Sequence, residues 1–247
     1  PALRRVIYLG TDAEPGGSAW AEFLDLSTRI AAHDLEGREN ALQFDDAVNI
    51  QYTSGRTGSP KGATLSHHNI LNNGYFVGEV LRYTEHDRIC VPVPFYHCFV
   101  CVLGNMAAVT HGSAVVIPGE SFAPDTTLRA IETERCTSIY GVPTMFIAQL
   151  DHPRFSSVQL ETLRTGIMAG APCPIDVMRQ VIGRMHVPQV TICYGMTETS
   201  PVSFQSETDD PIELRVSTVG RVLPHLDCKI VDPDTGVLTR ATSAYER

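Results

Sequence analysis

At 247 residues the chain is long enough for one large domain or two small ones, with ample length to bury a core. Hydrophobic residues make up 43% and charged residues 19%, which excludes an intrinsically disordered polymer. A net charge of -9 argues against non-specific nucleic-acid binding, and no apolar run approaches the roughly 20 residues that span a bilayer.

Short β-branched runs alternate with amphipathic helical stretches along the chain. Strands are predicted at 5–9 (RVIYL), 48–53 (VNIQYT), 88–93 (RICVPV), 113–118 (SAVVIP), 137–140 (TSIY), 164–169 (RTGIMA), 189–194 (QVTICY) and 227–232 (DCKIVD). Several are almost wholly apolar, as strands covered on both faces of a parallel sheet are. Ser66 caps a predicted helix running to about Leu81, with Ile70, Leu71, Val77 and Val80 as its apolar positions. Pro124 and Asp125 open a second helix ending near Arg135. Pro174 starts a third, in which Ile175, Met178, Val181, Ile182 and Met185 make one buried stripe. This alternation predicts an α/β fold with largely parallel sheets flanked by helices. The last forty residues differ: SETDDPIELR reads as an acidic loop, and DCKIVDPDTGVL as a C-terminal β-hairpin with a Pro-Asp-Thr-Gly turn.

Seven scattered cysteines, most of them in apolar stretches, read as reduced buried thiols of an intracellular protein. Cys98 and Cys101 beside His97 have a metal-like spacing, but no second such pair exists and the surroundings read as a buried helix. The N-terminus has neither an initiator Met nor a signal-peptide pattern, and both ends look cut from a longer protein.

The segment richest in chemistry is Tyr52 to Gly62, YTSGRTGSPKG, between a strand and the helix capped by Ser66. Its glycines allow main-chain amides to turn inward around an anion, Thr53, Ser54 and Thr57 offer hydroxyl donors, and Lys61 adds a point charge. Composition alone suits a polyphosphate nest and a glycine-rich surface turn equally. A Walker-type loop fits less well, because Gly62 and not Ser or Thr follows Lys61.

YTSGRTGSPKGATLSHHNI is similar to the phosphate-loop motif of the adenylate-forming (AMP-binding) superfamily, [YF]TSG[TS]TGxPKG, departing from it only at Arg56. A second motif of that family, YGMTE, is matched by Tyr194, Gly195, Met196, Thr197 and Glu198 in the same order along the chain. PTMF (143–146), MAGAP (168–172) and VGRVLPH (219–225) resemble medium-chain fatty acyl-CoA synthetases. The likeness covers nearly the whole chain.

The resemblance implies a fold and a set of roles. The fold would be the α/β part of an incomplete AMP-binding N-terminal domain over 1–205. A loop and hairpin opening the next subdomain would follow over 206–247, and the C-terminal lid domain would be absent. The activity would be ligase chemistry: a fatty acid and ATP give acyl-adenylate and pyrophosphate, and CoA then takes the acyl group. Thr53, Ser54, Gly55, Arg56, Thr57, Gly58 and Lys61 would hold the β- and γ-phosphates, Thr197 the α-phosphate, and Glu198 Mg²⁺. Tyr194 would pack on adenine, with Gly195 and Met196 beside it, while Gly170, Ala171 and Pro172 line the adenine and acyl pockets. His97 matches a position that gates the carboxylate's approach, and a packed core histidine is the other reading of it. Cys98, Val102, Met145, Phe146 and Met168 lie near the acyl pocket, although core packing alone explains them.

Arg56 puts a guanidinium where the family has a short hydroxyl. In the family a ribose-binding aspartate and a catalytic lysine come later, beyond Arg247, so the 247 residues alone are expected to be inactive. A carrier protein as acyl acceptor, or a non-catalytic nucleotide-binding truncation, stay open as alternatives. The expected location is cytoplasmic, or the mitochondrial matrix if a targeting segment has been lost. Oligomeric state and acyl length are not legible.

Overall fold

The computed structural model describes residues 3, 5–10, 14–53 and 58–243, the last four by their backbone only. The chain divides into two compact units, residues 1–46 and 47–247. In the first, β1 (Ile7–Tyr8) pairs in parallel with β2 (Ser18–Ala19), and helices α1 (Trp20–Asp25) and α2 (Ala32–Ala41) follow.

The second unit opens with a hairpin. Strand β3 (Ala47–Thr53) turns back into β4 (Lys61–Ser66), with Thr53 opposite Lys61. The sequence reading missed β4 and ran the loop directly into the helix. Its inward positions, Ala63 and Leu65, alternate with exposed neighbours, a two-residue period too brief to stand out. Helix α3 (His67–Val80) starts as predicted, because Ser66 Oγ accepts the Asn69 N–H at 3.2 Å while Asn69 Oδ1 accepts the Ser66 N–H.

Five parallel strands then form the main sheet: β5 (Arg88–Cys90), β6 (Ala114–Val116), β7 (Ser138–Gly141), β8 (Thr165–Ala169) and β9 (Gln189–Gly195). Two antiparallel additions extend one edge, β10 (Val202–Gln205) and β11 (Arg221–Val222), and the order is β11-β10-β9-β8-β7-β5-β6. The connections are helical. A π-helical stretch (Phe99–Met106) and α4 (Ala107–His111) lead to β6, α5 (Pro124–Thr133) to β7, α6 (Pro143–Leu150) towards β8, and α7 (Ile175–Arg184) to β9. Pro124 and Pro143 occupy the first helical turns, where a missing N–H costs nothing.

Alternation along the strands separates two cores. Tyr140 and Ile167 face α3, the π-helical stretch and α4, whereas Ile139 and Met168 face α5, α6 and α7. The sheet is therefore covered on both faces, as the apolar runs predicted.

One sequence expectation needs correction in the final stretch. SETDDPIELR is not simply a loop: it holds α8 (Ile212–Ser217), whose Arg215 is buried. Strands β10 and β11, on either side of residues 205/206, pair in one sheet. The predicted hairpin is present as β12 (Asp227–Val231) and β13 (Leu238–Ser243).

Candidate active site

Of the predicted site residues that are described, those at 97, 170–172 and 194–198 lie at or beyond the C-terminal ends of the parallel strands β5, β8 and β9. Chain order reverses direction across the sheet at β5: the chain goes out to β6 on one side and returns to β7 on the other. Loops that diverge at such a switch leave a crevice beyond the strand ends.

The first contributor is the hairpin. Ser54, Gly55, Arg56 and Thr57, four of the predicted phosphate ligands, lie outside the described residues. Thr53 is half-buried and closes the loop against Lys61, which is exposed and has no ion pair among the described residues. At Gly58 a Cβ would meet nothing within 4 Å, so that stretch of backbone faces open space.

The second contributor follows β9. Met196 N–H donates to the Pro201 carbonyl at 2.9 Å, and Thr199 Oγ1 donates to the same oxygen at 2.9 Å. These bonds fold 196–201 into a tight turn containing a short 3₁₀ helix (Thr197–Thr199) and a cis Ser200–Pro201 bond. Gly195 is sterically required, since a Cβ there would lie 1.8 Å from the Pro201 oxygen. Glu198 is exposed and free of ion pairs among the described residues. The Tyr194 ring is half exposed and meets Phe204 edge to face at 6.1 Å, leaving one side available to a flat ligand.

The third follows β8. Gly170 takes a φ of +86°, a left-handed conformation that suits glycine, and turns the chain into exposed Ala171 and Pro172. Cys173 holds that turn from below: its Sγ lies 3.3 Å from the Met168 carbonyl and 3.5 Å from that of Ala171. Burial pushes the thiol up to about 11, so at neutral pH it remains a donor.

The fourth is the loop after β5. Phe99 is buried and stacks on Tyr140 at 5.9 Å, anchoring His97 and Cys98 just ahead of it. His97 Nδ1 accepts the Phe99 N–H at 3.1 Å, so in the neutral ring the proton sits on the exposed Nε2. Cys98 Sγ lies 3.2 Å from Thr197 Oγ1, and burial raises this thiol despite the Thr197 hydrogen bond. The structure thus brings Cys98 and Thr197 into contact, and β4 packs against the 197–199 turn. The suggested acyl-pocket residues Cys98, Val102, Phe146 and Met168 are all buried in the cores.

A cavity of about 300 Å³ lies between Val91–Tyr96 and the stretch of Ile117, Gly119 and Glu120. A cavity of about 570 Å³ borders Arg88 at the N-terminal end of β5, and one of about 490 Å³ runs along the edge strand β6 from Arg88 to Pro118 against α5. None of these three is lined by the site residues singled out in the sequence. Sequence reasoning also missed Asn73, a buried polar residue of α3 that bonds to Val202; its one signal was an Asn set within an apolar helical stripe.

Turns gathered beyond the C-terminal ends of a doubly covered parallel sheet define an α/β protein of the ligand-binding-crevice class. Residues 7–242 match the family described as AMP-binding enzyme, and the chain belongs to that family. It is 44% identical over 231 residues to the acyl-CoA ligase sidI of Aspergillus fumigatus, covering 94% of this chain and 39% of that protein. It is 43% identical over 239 residues to the mitochondrial medium-chain acyl-CoA ligase ACSF2 of Danio rerio, covering 96% and 39%. Among solved structures, ATP-bound MatB from Rhodopseudomonas palustris superposes with a TM-score of 0.69 at 31% identity, covering 81% of this chain and 38% of that one. The chain spans about two fifths of the length of the curated relatives it matches.

Proposed function

We propose that the protein carrying this chain activates a fatty acid at the expense of ATP and transfers the acyl group to CoA. The observation that carries the reading is the meeting of strand β4, which begins with Lys61, and the turn that holds Thr197 and Glu198. In the first step a carboxylate oxygen attacks the α-phosphorus, the bond to the β-phosphate oxygen breaks, and pyrophosphate leaves. In the second the thiol sulfur of CoA attacks the acyl carbon, AMP leaves with the bonding pair, and the thiol gives up its proton.

The chain's own groups supply charge and alignment. Lys61 with the loop at 53–58 holds the β- and γ-phosphates, and the Thr197 hydroxyl bonds the α-phosphate. Tyr194 packs on adenine beside Gly195 and Met196, with Gly170, Ala171 and Pro172 bordering the same space. His97 offers Nε2–H to the incoming carboxylate. Magnesium suits Glu198, whose carboxylate is exposed and has no ion pair among the described residues; when bound, the ion neutralises triphosphate charge. The loop and hairpin over 206–247 open the next subdomain of the whole protein. Among the described residues no helix is long and apolar enough to cross a membrane, and we place the protein in the cytoplasm, with the mitochondrial matrix as the alternative. The ACSF2 relative is named as mitochondrial.

The test is carboxylate-dependent exchange of labelled pyrophosphate into ATP by the full-length protein, across a panel of fatty acids. Exchange that requires an acid is expected, followed by acyl-CoA when CoA is added. No exchange with any acid refutes the reading.

A further inference from the structure

We propose that Asn73 is a positioning residue of the adenylation site, clamping the turn that carries Thr197 and Glu198 to the helix that starts directly after the phosphate-loop hairpin. The inference rests on the reading of that site given above.

Asn73 lies in the middle of α3 and is 8% exposed. Its Nδ2 donates to the Val202 carbonyl at 2.7 Å and its Oδ1 accepts the Val202 N–H at 3.1 Å. Two bonds to one residue fix the amide's orientation, because a flipped amide would set donor against donor and acceptor against acceptor. Asparagine is a poor residue for a helix interior, and burying its amide is costly unless both ends are paired. Here both are paired, and across 129 residues of sequence. The ladder of β11 on β10 covers Phe204 and Gln205, and Leu223 N–H donates to the Ser203 carbonyl; Val202, one residue further, is bonded by Asn73.

What Val202 holds makes the clamp functional. The preceding carbonyl, that of Pro201, accepts both Met196 N–H and Thr199 Oγ1, the two bonds that shape the 196–199 turn. At its other end α3 is locked to β4 by the reciprocal Ser66–Asn69 pair, and β4 begins at Lys61. A continuous path of strand, cap, helix and side-chain amide therefore sets the spacing between Lys61 and Thr197. Ligand groups on opposite sides of one triphosphate need that spacing held to a fraction of an ångström.

The experiment compares Asn73→Asp, which keeps the acceptor and loses the donor, with Val77→Ala, a core truncation in the same helix, in the full-length protein. The expected result for Asn73→Asp is a fall of about 10- to 100-fold in kcat for acid-dependent pyrophosphate exchange, with KM for the acid unchanged. Amide hydrogen exchange at Met196, Thr199 and Val202 is expected to speed up at least about ten-fold in that variant and not in Val77→Ala. Equal kcat and equal protection in the two variants overturn the proposal, as does faster exchange with unchanged kcat. If Asn73→Asp does not fold, Asn73→Ser carries the same comparison. A wild type inactive with every acid refutes the functional reading instead, and the amide protection alone then decides whether the clamp exists.

Discussion

Gly195 has no room for a side chain, because the Pro201 carbonyl oxygen occupies the place of a Cβ. Gly195→Ala must push the turn open. A loss of about 2 kcal/mol or more in stability is expected by chemical denaturation, together with loss of pyrophosphate exchange. Asp87 makes a different kind of residue-scale prediction. Burial alone would raise its pKa, but hydrogen bonds from Arg164, Thr137 and Thr84 outweigh it and hold the carboxyl below the ordinary 3.8. Its Oδ2 takes Arg164 Nη2 at 2.7 Å, and its Oδ1 takes Thr137 Oγ1 at 2.6 Å. A lowered folded-state pKa stabilises the protein above the unfolded value, and that contribution disappears as pH falls through the folded one. Asp87→Asn should therefore cost about 2 kcal/mol from pH 5 to 8, discounted for the partial exposure of Arg164. Urea titrations should find the difference from wild type shrinking below pH 4.

Arg215 shows at the element scale what composition hides. Its guanidinium donates to the carbonyls of Asp210, Pro188, Val190 and Thr208 at 2.7–2.9 Å, fastening α8 and its approach to the start of β9. Arg215→Met leaves those carbonyls unpaired and should cost about 3 kcal/mol, measured by thermal unfolding; Lys in its place cannot reach them all. Arginine is seldom buried, so nothing in SETDDPIELR marked this role. The helix α3 was legible because Ser66 and the Ile70–Val77 stripe are strong local cues. Strand β4 was not, because its two inward residues sit between a glycine-rich loop and a helix cap. The same contrast holds at the site. Motif residues could be named from their order along the chain, but the hydrogen bond between Cys98 and Thr197 and the clamp of Asn73 on Val202 join residues 99 and 129 apart. Local pattern carries no information about such pairings.

Across the whole molecule, one sheet serves two cores, and this dictates how damage should spread. Ile167 points into the core under α3, and Ile139 on the adjacent strand points into the core under α5 to α7. Each Ile→Val change should cost about 1 kcal/mol. The double variant should lose close to the sum, because the two cavities open on opposite faces. Both faces should melt in one transition, since neither can lose its packing while the shared strands stay paired. Two separated transitions in calorimetry would show that the layers behave as independent folding units.

The seven unpaired thiols turn this architecture into a built-in reporter. Cys90, Cys98 and Cys136 are enclosed, while Cys101, Cys173, Cys193 and Cys228 are only half covered. A bulky alkylating reagent would mark Cys101 and Cys228 first from the native state; Cys173 and Cys193, whose thiols burial holds protonated, would react far more slowly, and the enclosed group only during excursions that part the sheet from its helices. Counting added masses over time would clock those openings without any engineered label.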